Sequence, residues 1–230
     1  SHATGNRYLK DGILPHMWCT GCGIGTMLAA MLRAFEELGF SNKDTVVVTG
    51  IGCTGKLDDY LVTNALHTTH GRALAYATGI KAFNPRLNVV VVMGDGDGVT
   101  IGGNHFIHAI RRNIDVKILL FNNRIYGLTK GQYSPTSELG KKTKTTPFGS
   151  ADYPFNPPAL AIGSGATFVA RSTHTTPNHV LQMMEAAMDH DGFSFIQCLS
   201  ECVEFFPGAF DASNPRKGGV FNLIPESHDV

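Results

Sequence analysis

The sequence has no excess of either charge: Lys and Arg total 19, Asp and Glu also total 19, and the formal net charge is zero. That balance argues against nucleic acid and against an anionic membrane as partners. It also removes one electrostatic barrier to tight association with another subunit. Charge is sparse as well, at 17% against 43% hydrophobic residues, which excludes a disordered chain and leaves enough apolar material for a core. No apolar run approaches the roughly 18 residues of a membrane helix. The start, Ser1 to Asp11, is polar and has no signal-peptide core. Cysteine is scarce and irregularly spaced, five in all, so a disulfide framework is not expected. A reduced, cytoplasmic setting fits better, with the thiols kept for metal or redox work. There is neither an internal repeat nor a linker, and 230 residues suit one large domain, 1–230.

Strand and helix patterns alternate. Gly23 to Leu38 carries Met27, Leu28, Met31, Leu32, Phe35 and Leu38 on one helical face and stops at Gly39. Further helices are predicted over Ala73 to Phe83, Thr100 to Arg112 and Val180 to Met188. Short buried strands are predicted at Thr45 to Val48, Val89 to Met93, Lys117 to Phe121, Phe168 to Arg171 and Phe193 to Leu199. The fold class is therefore α/β, a mostly parallel sheet with helices on both faces. In such sheets ligands sit at the carboxyl ends of strands. Ile51-Gly52-Cys53, Gly94-Asp95-Gly96, Asn122-Asn123 and Cys202 all fall at such ends. A polar stretch from about Tyr126 to Pro157 is too long for a plain connection and is expected to lie over a site or a partner.

Gly94-Asp95-Gly96-Asp97-Gly98 follows a strand and leads into a helix. Glycines let backbone approach phosphate oxygens, and free N–H groups at a helix start attract an anion. Asp95 offers a hard carboxylate oxygen for Mg²⁺, Asn123 an amide oxygen and Ile125 a backbone carbonyl. Alone, Gly-Asp-Gly reads equally well as a turn. Paired with Asn-Asn one crossover later, it resembles the pattern of thiamine diphosphate enzymes.

Gly50 to Lys56 also has the spacing of a P-loop and of a dinucleotide fingerprint. The P-loop needs Ser or Thr after the lysine, and Leu57 stands there. The dinucleotide fold needs an acid about 20 residues on, and none occurs between Tyr60 and Gly94. Cys19 and Cys22 form a C-x-x-C pair, while Cys53 and Cys202 stand apart. Spacing leaves a cubane iron–sulfur cluster, a zinc site and packed thiols all open. Cys198 lies inside an apolar strand and reads as a core residue, which makes Cys202 the better fourth ligand.

These motifs, with His67-Thr68-Thr69-His70-Gly71-Arg72, Ile101-Gly102-Gly103-Asn104-His105 and Phe121 to Gln132, resemble the β subunit of 2-oxoacid:ferredoxin oxidoreductases, closest to the 2-oxoglutarate type. The likeness runs from about Trp18 to Cys202. It implies a [4Fe-4S] cluster on Cys19, Cys22, Cys53 and Cys202, and Mg²⁺ on Asp95, Asn123 and Ile125. It implies a cofactor cradle of Ile51, Gly52, Cys53, Thr54, His70, Gly94, Asp95, Gly96, Asp97, Asn123, Ile125, Gly127 and Leu128. Lys56, Leu128 and Lys130 fall where the family shapes its substrate pocket, and a lysine there can pair with a carboxylate. The implied reaction is oxidative decarboxylation of a 2-oxoacid, with coenzyme A taking the acyl group and ferredoxin the electrons. No catalytic residue is expected in this chain, because the family carries the activating Glu on a separate α subunit. The expected assembly is (αβ)2, with the tail 203–230 wrapping a partner.

Overall fold

The computed structural model of the chain describes residues 6–220. Part of the expected partner-wrapping tail, 221–230, lies outside them. Six parallel strands form the sheet: β1 (Thr45–Thr49), β2 (Asn64–His67), β3 (Asn88–Gly94), β4 (Lys117–Asn122), β7 (Phe168–Thr173) and β8 (Ser194–Leu199). Their spatial order is β2-β1-β3-β4-β8-β7. A separate two-stranded ribbon pairs β5 (Ile125–Tyr126) with β6 (Gln132–Tyr133).

Every residue of β1, β4 and β8 is buried, as expected of strands covered on both faces. Alternate side chains sort into two cores. Val47, Val90, Val92, Leu119, Phe121, Ile196 and Cys198 pack under α1 (Ile24–Glu37) and α5 (Pro177–Asp189). Val46, Val48, Val91, Met93, Ile118, Leu120 and Phe195 pack under α2 (Ala73–Phe83) and α3 (Gly103–Arg111). A short helix, α4, spans Pro157–Gly163.

Two elements differ from the sequence pattern. The helix expected over Thr100 to Arg112 is divided into a π turn, Asp97–Ile101, and α3. Gly102 allows the change: its N–H donates to Asp97 O at 3.1 Å, and a Cβ there would strike the carbonyls of Asp97 and Gly98. Strand β2 was not legible because all four of its residues are exposed and, among the described residues, its only partner strand is β1. From 203 onward the chain first packs on itself. Phe206 and Phe210 are buried, Lys141 lies over the Phe206 ring, and Arg124 stacks on Phe210.

Where α1 meets α5, Glu37 faces Glu185, whose Oε1 is buried without a partner. Burial and the Glu37 carboxyl push Glu185 up to about 7 from an ordinary 4.5. A raised carboxylate favours folding below the unfolded value and loses that contribution as pH climbs through about 7. Glu185→Gln should therefore raise the melting temperature at pH 8 and leave it nearly unchanged at pH 4.5, a gain on the order of 1 kcal/mol after solvent screening. Equal effects at both pH values would contradict this reading.

Candidate functional site

Chain order reverses between β1 and β3: one half of the sheet grows from β1 to β2, the other from β3 to β4. The crevice outside the strand ends at such a switch point is where doubly wound sheets bind ligands. A cavity of about 90 Å³ sits there, lined by Ile51, Gly52, Cys53 and Thr54 after β1, Gly94 to Asp97 after β3, and Asn123, Ile125, Tyr126, Gly127, Leu128 and Thr129 after β4. His70 completes the wall. All thirteen residues of the expected cradle line this one cavity.

Asp95 is 2% exposed. Its Oδ2 accepts from Ser134 Oγ at 2.5 Å and from Thr136 Oγ1 at 2.6 Å. Burial raises its pKa, and the two hydroxyls and the Asn123 backbone amide pull it back down. Among the described residues no Lys or Arg forms an ion pair with it. A buried carboxylate held by neutral donors and lacking a cation suits a divalent ion. The two asparagines part company. Asn122 is buried, its Oδ1 taken by Arg124 N–H at 3.0 Å and Thr136 Oγ1 at 2.9 Å. Asn123 lines the cavity, its Oδ1 accepting, among the described residues, only from Ile125 N–H at 3.1 Å.

Asp97 serves the frame of the site. Its Oδ1 accepts from Gly71 N–H at 2.6 Å and Ile51 N–H at 3.4 Å, and lies 3.6 Å from His70 Nε2. One carboxylate thus ties the loops after β1 and β2 to the π turn. Oδ2 is buried without a partner and points at Gly50, where any Cβ would collide with it. The P-loop spacing at Gly50 to Lys56 therefore frames a carboxylate, and the chain continues into a 3-10 turn, Thr54–Tyr60, in place of a phosphate-binding α-helix.

Four thiols gather beside this cavity. Cys19, Cys22 and Cys202 all act electrostatically on Cys53, whose pKa burial and their charges push up to about 11. Cys22 is raised by burial first and by Cys19 and Cys202 next. Sγ of Cys202 and Sγ of Cys53 would lie 3.4 and 3.6 Å from a Cβ placed on Gly127. Three distant segments are tied at this point: Trp18 Nε1 donates to Cys53 O at 2.7 Å, and Glu201 N–H donates to Cys22 O at 3.2 Å. Cys198 takes no part; it is wholly buried in β8, and burial alone raises its pKa. Among the described residues no three His, Cys, Asp or Glu side chains converge as one metal ion requires. Four thiolates are the donor set that a cubane iron–sulfur cluster takes. Cys53 faces the cofactor cavity, while Cys19 and Cys22 line an outer hollow with His16, His174 and Glu201.

Of the three residues expected at the substrate pocket, Leu128 lines the cavity and is 43% exposed. Lys56 lies outside that lining, 3.7 Å from Asp59, and so does Lys130, in a left-handed conformation at φ 76°. Tyr126, Thr129, Ser134 and Thr136 were not singled out from sequence. Tyr126 OH donates to Gly96 O at 3.1 Å, bracing the glycine turn. Tyr126 and Thr129 fall in the Phe121 to Gln132 motif, whereas for Ser134 and Thr136 the available signal was the hydroxyl-rich composition of the long polar stretch, which brings both hydroxyls onto Asp95.

A parallel sheet whose switch-point cavity joins a glycine-flanked buried Asp to an Asn at the next strand end defines the diphosphate-binding half of a thiamine diphosphate enzyme. Residues 50–198 match the family described as thiamine pyrophosphate enzyme, C-terminal TPP binding domain. The chain is 52% identical over 195 residues to 2-oxoglutarate synthase subunit KorB of Archaeoglobus fulgidus, spanning 85% of this chain and 73% of that protein. It is also 52% identical over 211 residues to 2-oxoglutarate oxidoreductase subunit KorB of Mycobacterium tuberculosis, spanning 92% of this chain and 56% of that one. The 2-oxoglutarate:ferredoxin oxidoreductase from Magnetococcus marinus, solved with 2-oxoglutarate, coenzyme A and succinyl-CoA bound, superposes with a TM-score of 0.91 at 38% identity, covering 98% of this chain and 76% of that chain. The chain belongs to the β subunits of the 2-oxoacid:ferredoxin oxidoreductases, in their 2-oxoglutarate branch.

Proposed function

We propose that this chain is the β subunit of an enzyme that converts 2-oxoglutarate, coenzyme A and oxidised ferredoxin reversibly to succinyl-CoA, CO₂ and reduced ferredoxin. The observation that carries this reading is the position of the thiols: Cys53 and Cys202 border the same Gly127 backbone that lines the diphosphate cavity. When bound, thiamine diphosphate supplies the electron sink for decarboxylation and a [4Fe-4S] cluster the one-electron acceptor.

The residues divide the remaining work. Asp95, Asn123 and the Ile125 carbonyl would hold Mg²⁺ and through it the diphosphate, and the Gly94–Gly96 backbone would offer its N–H groups to the phosphate oxygens. His70, 3.6 Å from Asp97 Oδ1, would contact the diphosphate. Cys19, Cys22, Cys53 and Cys202 would hold the cluster, with Cys53 on the side of the cofactor cavity and Cys19 and Cys22 on the side of the outer hollow. Leu128 shapes the oxoacid pocket, whereas Lys56, beside Asp59, and Lys130 lie outside the cavity lining and would meet the second carboxylate of a dicarboxylic substrate only where it extends beyond that lining. The activating Glu comes from an α subunit, in an (αβ)2 assembly working in the cytoplasm. Among the described residues no helix is long and apolar enough to cross a membrane.

The test is anaerobic co-purification with the α subunit, followed by ferredoxin reduction across a panel of 2-oxoacids. The αβ complex is expected to reduce ferredoxin fastest with 2-oxoglutarate, and this chain alone is expected to show no turnover. Turnover by the isolated chain, or a preference for pyruvate or a branched oxoacid, would contradict the reading.

A further inference from the structure

A second cavity, of about 370 Å³, opens at the carboxyl ends of β4, β8 and β7, on the other side of Asn122 and Thr136 from the diphosphate site. Two guanidiniums line it, Arg124 just past β4 and Arg171 on edge strand β7. Arg124 Nη1 donates to Ala209 O at 3.0 Å. Arg171 donates from Nε to Gln197 Oε1 at 2.6 Å and from Nη2 to Asn156 Oδ1 at 3.4 Å. These partners are neutral. Among the described residues neither arginine has a carboxylate within ion-pair distance, although Glu138 stands elsewhere in the wall.

Two cations facing one cavity, neither paired with a carboxylate, repel each other: burial and then the Arg124 charge lower the Arg171 pKa. Each guanidinium has five N–H donors, and most are left over here. Arg124 is held in place at φ 58°, with its guanidinium over the Phe210 ring, 4.5 Å from the centroid, and its carbonyl accepting from Ser137 Oγ. Such a fork is preorganised for a carboxylate or phosphate oxygen pair.

We propose that Arg124 and Arg171 form a second ligand site that takes an oxyanion, the phosphate or carboxylate group of a small molecule, next to the cofactor cavity. The two cavities share a wall. The single Thr136 hydroxyl proton is shared between Asp95 Oδ2 at 2.6 Å and Asn122 Oδ1 at 2.9 Å, and the Arg124 amide donates to the same Asn122 oxygen. The occupant therefore presses on residues that orient the metal carboxylate.

The experiment titrates the αβ complex, saturated with thiamine diphosphate and Mg²⁺, with inorganic phosphate and separately with succinate, at low ionic strength by calorimetry. Saturable binding of at least one anion is expected, with Kd raised at least tenfold in Arg124→Gln and in Arg171→Gln and partly recovered in Arg171→Lys. Retained thiamine diphosphate binding checks that each variant is folded. Tighter binding of phosphate assigns the site to a phosphoryl group, and tighter binding of succinate to a carboxylate. Absence of saturable binding to the unsubstituted complex, or an unchanged Kd in both glutamine variants, would overturn the proposal.

Discussion

Asp95→Ala is expected to abolish Mg²⁺-dependent binding of thiamine diphosphate, a weakening of about 100-fold or more in calorimetry, while leaving the fold intact. The reason lies in the donor set. Magnesium demands near-octahedral oxygen ligation and takes few protein ligands, so Asn123 and a backbone carbonyl cannot replace the one ionised group. The fold should tolerate the change, because the carboxylate is itself a buried charge without a cationic partner and its removal leaves only the Ser134 and Thr136 hydroxyls to be rehydrated. Those hydroxyls provide a graded control. Ser134→Ala with Thr136→Val frees Asp95 to rotate and should weaken binding by about tenfold, in the range usual for groups that orient a metal ligand. Undiminished binding by Asp95→Ala would remove the metal assignment.

The second large effect separates two cysteines four residues apart. Cys202→Ser should strip the anaerobically prepared complex of most of its iron and of the broad visible absorption of a cubane cluster. Cys198→Ser should keep about four iron atoms per chain and lose only about 1–3 kcal/mol of stability, from a buried hydroxyl without a partner. Cys198 senses burial alone, whereas Cys202 belongs to the mutually interacting set with Cys19, Cys22 and Cys53. Loss of iron from the Cys198 variant and its retention in the Cys202 variant would exchange their roles.

Most of the sheet was legible because its strands are buried on both faces: runs such as Val89 to Met93 leave few alternatives. Helix α2 was readable to its ends, closed by Asn84-Pro85. Strand β2 was not, since Asn64, Ala65, Leu66 and His67 form no apolar pattern and are ordered by pairing to β1. The same divide runs through the site. Gly94-Asp95-Gly96 and Asn123 carry a spacing that one crossover helix explains, so sequence was enough to pair them. The hydroxyls on Asp95 come from 39 and 41 residues away along the chain, on a loop with no periodicity, and only the folded chain brings them there. The role of Asp97 was hidden for a related reason: a second acid in a glycine turn reads as another phosphate or metal contact, whereas its oxygen is spent on the amides of Ile51 and Gly71. Arg124 and Arg171 stand 47 positions apart by their numbers and meet only across the strand ends.

The central claim is that this chain joins a thiamine diphosphate site to an iron–sulfur cluster within one fold. It is tested most directly by electron paramagnetic resonance of the anaerobic αβ complex, loaded with thiamine diphosphate and Mg²⁺, before and after 2-oxoglutarate is added without ferredoxin. The account predicts a reduced-cluster signal that needs both oxoacid and cofactor and is missing in Asp95→Ala. A complex that binds thiamine diphosphate and consumes 2-oxoglutarate but contains no iron and gives no signal would contradict it.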